Sequence, residues 1–234
     1  ADNVSGLLGE SGFREYMNQL DTPLETGYLL RIGIDHFKEI NDNFGQEYGD
    51  FVLKKTAECI SGCTSEGQKV YKLVADEFLI LDVASDEAKD ADKLYDKVRE
   101  AIDRFIETNE FKVMYTVSGG IVPFAALKGN QCSEALKLTD FALNEAKKLG
   151  RNRCYIFNGE TYRKFLRKRE IIQELREAVI NGFQGFTAFY QPVFAEDKKV
   201  PYGAEALMRF TSEKFGMILS LIHISEPTRH LRIS

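Results

Sequence analysis

The stretch Val70-Tyr71-Lys72-Leu73-Val74-Ala75-Asp76-Glu77-Phe78-Leu79-Ile80-Leu81 consists of two short apolar runs around a polar tip. Apolar runs of this length on either side of a short polar segment are typical of a β-hairpin. We therefore predict strands at 70–73 and 78–81, with Asp76 and Glu77 at the turn between them. Two carboxylates at a strand end can bind a metal ion, but hairpin tips are polar in any case, so both interpretations stay open at this point.

Helix and strand patterns alternate on both sides of this hairpin. The spacing of apolar residues predicts helices over 11–20, 36–44, 51–60, 86–107 and 132–149. Short apolar or β-branched runs predict further strands over 28–34, 113–122 and 154–157. The resulting order of elements is α-β-α-α-β-β-α-β-α-β.

The composition is that of a folded globular protein, with 44% hydrophobic and 29% charged residues in a chain of 234. The net charge is −5, so no global field holds nucleic acid or an anionic membrane, and we predict contact with neither. Four cysteines without a C-x-x-C pair, and no long apolar run, predict a reduced, cytoplasmic location. Cys59 and Cys63 lie one helical turn apart without an accompanying histidine, so we do not expect a zinc site.

The last third of the chain has a different organisation. A charged helical pattern over 161–183 predicts a helical linker at 159–184, with its basic residues on a solvated face. Two strand-like runs then begin an incomplete second domain at 185–218. Residues 219–229 look like the translation of a sequencing-library adapter, so we predict a non-native tail at 219–234 and give no role to its histidines, His223 and His230.

Further polar residues are expected near the hairpin tip. Asp35 ends the predicted strand 28–34, and Asp42 and Asp50 lie on the helices that follow. Carboxylates at neighbouring strand ends can hold Mg²⁺, the cation that accompanies nucleotide phosphates. Lys147 and the segment 150–152 add cations at a helix end, where they can pair with phosphate or simply complement the helix dipole.

Four spaced motifs resemble the GGDEF domain of bacterial diguanylate cyclases, which join two GTP molecules into cyclic di-GMP. They are Asp2–Leu7, Ile34–Asp42 with Gly45, Gly49 and Asp50, Thr116–Ile121, and Asp140 with Ala146–Asn152. The resemblance covers residues 2–157. It implies an α+β domain, an α/β sandwich, over residues 1–158, with the element order found above. The central, mostly antiparallel sheet with flanking helices would be similar to nucleotide cyclases and polymerase palms, and the ligands would be GTP with Mg²⁺ or Mn²⁺.

The resemblance also implies roles for single residues. Asn41 and Asp50 match the pair that reads guanine, and Lys147 and Arg151 match the phosphate-binding cations. Asp76 matches a metal ligand, and with Glu77 it forms the acidic part of the signature.

Three departures predict a degenerate site. The two signature glycines are replaced by Val74 and Ala75, whose Cβ atoms obstruct phosphates and strain any positive φ. The first metal-binding aspartate of the family falls on Gly33, which leaves Asp35 as a weak substitute ligand. Upstream, the product-inhibition site falls on Ser65 and Gln68, so we expect no feedback binding there. We therefore predict a GTP-binding regulatory module; the alternatives are an active diguanylate cyclase and a nucleotide-free dimerisation module.

The second domain resembles the first two strands of an EAL domain, the cyclic di-GMP phosphodiesterase family. The resemblance lies in Phe189–Val193 and Gly203–Phe210, and it assigns a metal-ligand role to Glu205 and substrate contacts to Gln191, Leu207 and Arg209. A complete barrel of this kind needs roughly 200 more residues, so this fragment cannot hydrolyse a substrate. We expect the parent protein to degrade cyclic di-GMP through a covalently linked EAL domain, and the helical linker to support a homodimer.

Overall fold

The computed structural model describes residues 1–108, 113–129, 131–194 and 200–218. The chain divides into two compact units, one at Ala1–Gly159 and one from Glu160 onward. The predicted tail at 219–234, with His223 and His230, lies outside the described residues.

The first unit is built on a six-stranded sheet in the order β1-β3-β4-β2-β5-β6. Its three inner pairings, β3 with β4, β4 with β2 and β2 with β5, are antiparallel, and the two edge strands β1 and β6 pair in parallel. The structure thus confirms the central, mostly antiparallel sheet. The strands are β1 (Leu8–Gly9), β2 (Tyr28–Ile34), β3 (Gln68–Lys72), β4 (Glu77–Asp82), β5 (Val117–Pro123) and β6 (Cys154–Ile156).

Helices cover both faces of this sheet. Helices α1 and α5 pack on one face, and α3 and α4 pack together on the other. Each predicted helix is present, with shifted ends. The helices are α1 (Glu10–Asn18), α2 (Phe37–Phe44), α3 (Gln46–Cys63), α4 (Ala88–Thr108) and α5 (Cys132–Lys148).

In the first unit, β1 and β5 differ most from the predicted strands, and the ends of the other four strands agree to within two residues. The two-residue strand β1 has no apolar alternation and was not predicted. The strand predicted over 113–122 begins only at Val117, because its partner β2 ends at Ile34, opposite Val117; one further backbone hydrogen bond, from the Asp35 N–H to the Thr116 carbonyl oxygen at 2.9 Å, ends the pairing.

The central strand β2 divides its side chains between the two faces. Leu30, Ile32 and Ile34 belong to the core shared with α3 and α4. Arg31 and Gly33 alternate with them and face α5, where the Arg31 guanidinium reaches the Leu136 carbonyl oxygen. Arg31 is thus a charged residue on a face that is otherwise largely apolar, where Leu29, Leu79 and Leu81 are fully buried.

Helix α5 lies very close to the sheet. A Cβ atom on Gly120 of β5 would collide with the backbone of Leu143 and Ala142 in α5, so only glycine permits this approach. Because α5 packs so closely on the sheet, the last turn of the helix places Lys147 directly over Gly33 of β2.

The second unit contains one helix and a three-stranded antiparallel sheet in the order β7-β8-β9. Its elements are α6 (Gly159–Ile180), β7 (Phe186–Phe194), β8 (Pro201–Ser212) and β9 (Gly216–Ile218). The helix and the first two strands agree with the sequence patterns, whereas β9 was not predicted. In the described parts of the chain, no helix is both long and apolar enough to cross a membrane.

Candidate functional site

The turn between β3 and β4 holds the signature residues in a tight loop. The Leu73 N–H donates to the Glu77 carbonyl oxygen at 2.9 Å, and the Glu77 N–H donates to the Val74 carbonyl oxygen at 3.3 Å. Ala75 has a φ of 56°, in the left-handed region, which costs a residue with a Cβ about 1–2 kcal/mol. The strain expected from the loss of the glycine is therefore present in the backbone.

Lys72 stabilises this turn through hydrogen bonds to its backbone. Its side chain is buried, and its ammonium donates to the carbonyl oxygens of Leu73, at 2.9 Å, and Ala75. Burial lowers the pKa of Lys72, and the carboxylates of Asp2, Asp76 and Glu77 oppose that effect. The lysine thus stabilises the turn through its carbonyl groups.

Asp76 lies partly exposed at the turn. Burial raises the pKa of its carboxyl group, and the nearby Lys147 ammonium works in the opposite direction. The ionised form of Asp76 is therefore poorly solvated, which is a property of groups that meet a cation or donor when a ligand binds.

Glu77 is bound by cations of the protein itself. The Arg31 Nε donates to Glu77 Oε2 at 2.6 Å, a second guanidinium nitrogen contacts the same oxygen, and Lys147 Nζ lies 3.9 Å from Oε1. Arg31 also approaches Asp140 at 3.5 Å. Sequence reasoning missed Arg31, although a charged residue inside the apolar run 28–34 was a signal for it.

Gly33 lies beside this cluster. A Cβ atom at Gly33 would lie 3.1 Å from Lys147 Nζ and 3.1 Å from a Leu143 methyl group. A side chain at position 33 would therefore lie next to the Lys147 ammonium.

The Asp35 carboxylate forms hydrogen bonds away from the signature turn. Its side chain is 3% exposed, and its carboxylate oxygens accept hydrogen bonds from Thr116 Oγ1 (2.7 Å), Ser118 Oγ (2.7 Å) and the Asn152 N–H (3.1 Å). Ser118 lies on β5, Thr116 directly precedes that strand and Asn152 lies in the loop after α5, whereas Asp76 precedes β4 on the opposite side of β2. The structure does not support Asp35 as a metal ligand, because its carboxylate holds these segments together.

A cleft of about 530 Å³ adjoins the signature turn. Among the predicted site residues it is lined by Asn41, Asp50 and Asp76. The Asn41 Oδ1 atom is buried and has no hydrogen-bond partner among the described residues. A Cβ atom on Gly49 would overlap this oxygen, so the glycine makes the position of the Asn41 amide possible.

Arg151 lies in the loop that follows α5. Its φ is 62°, its N–H donates to the Ala146 carbonyl oxygen at 3.2 Å, and its side chain is exposed. The loop is anchored through the next residue, Asn152, to Asp35. Arg151 and Lys147 are thus held at the same end of α5.

The carboxylates at the signature do not fit a dedicated divalent-cation site. Gly33 supplies no ligand, Glu77 is paired with Arg31, and Asp35 is turned toward β5. No group of three or more histidine, cysteine or acidic side chains suited to a metal ion occurs in the described part of the chain. This leaves Asp76 as the single carboxylate at the turn that can approach a cation.

The residues of the EAL resemblance lie on one face of the β7–β8 ladder. Gln191 pairs directly with Glu205, and Leu207 and Arg209 follow Glu205 at alternate positions of β8. Residues that alternate along a strand share a face of the sheet. The second unit therefore brings these four predicted residues together on one surface.

Known proteins resemble the chain in sequence and in fold. The cyclic di-GMP phosphodiesterase NbdA of Pseudomonas aeruginosa is 28% identical over 222 residues, which cover 93% of this chain and 28% of that protein. The chain also spans less than half of the next two curated relatives. The solved GGDEF domain of TpbB (YfiN) from Pseudomonas aeruginosa matches with a TM-score of 0.61 at 24% identity, over 70% of this chain and 98% of that one.

One solved structure covers both units of the chain. It is the S helix-GGDEF-EAL part of LapD from Vibrio cholerae, bound to c-di-GMP, with a TM-score of 0.57 and 19% identity over 91% of this chain and 49% of that one. The family model described as diguanylate cyclase, GGDEF domain, matches residues 1–153. Since one family model accounts for about two thirds of its length, the chain belongs to the GGDEF domain family.

Proposed function

We propose that residues 1–158 bind GTP as a regulatory module of a cyclic di-GMP signalling protein and do not convert it at a useful rate. The observation that carries this proposal is a cleft lined by both Asn41 and Asp50, in which the Asn41 side chain has a buried Oδ1 without a hydrogen-bond partner among the described residues. A buried acceptor without a partner costs about 1–3 kcal/mol, which a hydrogen-bonding ligand recovers.

Guanine matches the groups in this cleft. Its Watson–Crick edge presents N1–H and N2–H₂ donors, and the amide and carboxylate oxygens of Asn41 and Asp50 accept hydrogen bonds. Adenine lacks the same donor pattern, so a site built on these acceptors discriminates against ATP. Lys147 and Arg151, at the end of α5, supply positive charge for the phosphates.

The signature turn argues against efficient catalysis. Phosphoryl transfer depends on positioning and on the cations that neutralise the developing charge. Here Ala75 strains the turn, Gly33 offers no ligand and Glu77 is paired with Arg31. A loss of several kcal/mol of this stabilisation lowers the rate about a thousandfold or more.

An active diguanylate cyclase is the second candidate. Asp76 and Glu77 both remain at the turn, and Ala75 keeps the left-handed conformation that the family's glycine favours. This candidate requires Glu77 to leave Arg31 when a metal-bound nucleotide arrives. A nucleotide-free dimerisation module is the outcome if no nucleotide binds at all.

We propose further that residues 185–218 begin an EAL domain and that 159–184 link the two domains. The shared face of Gln191, Glu205, Leu207 and Arg209 supports this assignment, as does similarity to NbdA and to the LapD GGDEF-EAL structure across both units. The parent protein would then degrade cyclic di-GMP under control of the first domain. Dimerisation through the linker helix belongs to the same proposal.

Calorimetric titration of the chain with GTP and with ATP tests the proposal, with chromatography of the reaction mixture for cyclic di-GMP. We expect GTP to bind at least about tenfold more tightly than ATP and no product to accumulate. Asn41→Ala should remove the preference for GTP. Equal affinities for the two nucleotides would contradict the assigned site, and rapid product formation would establish the cyclase instead.

A further inference from the structure

We propose that the ammonium group of Lys147 takes the place of a divalent cation in this site, so that the nucleotide is bound without one. The inference rests on the proposed function, because it concerns how the same site holds GTP. It depends on three features of the described residues: the Lys147 ammonium over the bare backbone of Gly33, the pairing of Glu77 with Arg31, and the small number of carboxylates left at the turn.

The first feature is the space over β2. Gly33 has no side chain, and the closest polar atom to its missing Cβ position is Lys147 Nζ, at 3.1 Å. The helix α5 carries this ammonium so close to the strand because Gly120 allows its backbone to pack directly on β5. A positive group of the protein therefore lies beside the sheet, near where a carboxylate at position 33 would begin.

The second feature is the pairing of Glu77. Two nitrogens of the Arg31 guanidinium contact one oxygen of this carboxylate, and Lys147 lies 3.9 Å from the other oxygen. The side chains of Arg31 and Glu77 are only 13% and 18% exposed, so solvent screens this pair weakly. A cation that recruited Glu77 would have to displace Arg31 from it.

The third feature is the small number of remaining ligands. Mg²⁺ is coordinated octahedrally by oxygen atoms, through carboxylates, waters and substrate phosphates. With Glu77 paired, Asp76 is the one carboxylate at the turn left for such an ion, and Lys147 acts on Asp76 as well. The ammonium repels a second cation and attracts the phosphates directly.

This arrangement makes a prediction that differs from a metal-dependent nucleotide site. When Mg²⁺ binds GTP, it neutralises part of the phosphate charge that attracts a fixed ammonium. GTP should therefore bind in EDTA at least as tightly as in excess Mg²⁺. A site that shares a metal ion with the nucleotide would show the opposite order.

Calorimetric titration of the full chain with GTP in EDTA and in excess MgCl₂ provides the test. We expect the affinity in Mg²⁺ to be equal to that in EDTA within about threefold, or weaker. Binding at least about tenfold tighter in Mg²⁺ would overturn the inference and leave GTP binding itself intact. No binding in either buffer would overturn the proposed function, and this inference with it.

Two lysine variants identify the group responsible. Lys147→Met should weaken GTP binding in EDTA about tenfold. The matched control is Lys148→Met, which removes the neighbouring ammonium, paired with Glu145 at 2.7 Å, and should leave the affinity unchanged. Equal effects of the two substitutions would overturn the specific role of Lys147.

A readout without nucleotide completes the test. Electron paramagnetic resonance of Mn²⁺ added to the nucleotide-free chain should show no stoichiometric site, whereas a site that disappears in Asp76→Asn would overturn the inference.

The variant Gly33→Asp tests the inference from the opposite direction, because it places a carboxylate beside Lys147. We expect GTP binding by this variant to become at least about tenfold tighter in Mg²⁺ than in EDTA. A Gly33→Asp variant that stays indifferent to Mg²⁺ would count against the inference.

Discussion

The two ends of the candidate nucleotide site differ in how their polar groups are satisfied. At the end proposed for guanine, Asn41 and Asp50 line an open cleft, and the Asn41 Oδ1 is buried against Gly49 without a hydrogen-bond partner among the described residues. At the signature end, Glu77 is paired with Arg31, and Lys147 lies over Gly33. In our proposal the first end binds the guanine base, whereas at the second end side chains of the protein take the place of a metal ion.

The difference supports our proposal that nucleotide recognition and catalysis are altered separately in this domain. The proposed guanine acceptors, Asn41 and Asp50, lie on α2 and α3, whereas Ala75 lies in the signature turn and Gly33 on the neighbouring strand β2. Phosphoryl transfer depends on the cations and the positioning that this second region supplies. The following experiments test whether the two ends are as different as the structure indicates.

The largest effect is expected from Arg31→Met. Removing one partner of a mostly buried ion pair leaves the Glu77 carboxylate without its main partner, and we expect a loss of about 2–3 kcal/mol in the free energy of unfolding, measured by urea denaturation. The control Arg14→Met breaks an exposed helical pair with Glu10 and should cost less than about 0.5 kcal/mol. Similar losses in both variants would mean that the signature end is not held by this pair.

Gly49→Ala tests the guanine end. The new methyl group overlaps Asn41 Oδ1, so the amide must leave its position, and we expect GTP affinity to fall about thirtyfold, close to 2 kcal/mol. Gly62→Ala, in the same helix α3, meets nothing within 4 Å and should leave the affinity unchanged. Calorimetric titration measures both, and an unaltered affinity in Gly49→Ala would place the guanine elsewhere.

Ala75→Gly should relieve the strained turn. Glycine adopts a positive φ without a steric penalty but loses more entropy on folding, so we expect a net gain of about 0.5–1 kcal/mol in unfolding free energy. Ala84→Gly, at an exposed position without a positive φ, should lose a similar amount. If Ala75→Gly also destabilised the domain, the turn could not be strained in solution.

The smallest effect concerns Asp76 and pH. Its pKa in the folded chain is raised above the unfolded value of 3.8, so the folded state binds more protons than the unfolded state just above pH 3.8. Stability contributed by the protonated form is lost as the pH rises through the folded pKa. Asp76→Asn should therefore raise the melting temperature slightly at pH 7, and the gain should shrink as the pH falls toward 4. A gain that stays constant with pH would show that desolvation of Asp76 is not its cause.

Sequence patterns predicted most of the first unit because its elements depend on local periodicity. Strand β2 agrees with the prediction at both ends, and the apolar stripe of α4 defines that helix to within two residues. Strand ends that depend on pairing with another strand were harder to predict. An example is β5, whose first residue depends on where β2 ends. The assignment of Asn41 and Asp50 to one site relied on a family resemblance, and the structure places both in one cleft.

The amino-acid sequence by itself determined the order of the helices and of the strands other than β1 and β9, the hairpin with Asp76 and Glu77 at its turn, and the absence of a carboxylate at position 33. These properties follow from the period of apolar residues and from residue identity at single positions. Only the tertiary structure decided that Arg31 binds Glu77, that Lys147 lies over Gly33 and that Asp35 faces β5. These contacts join residues about 46 to 117 positions apart in the chain, and their geometry depends on how closely α5 packs on the sheet.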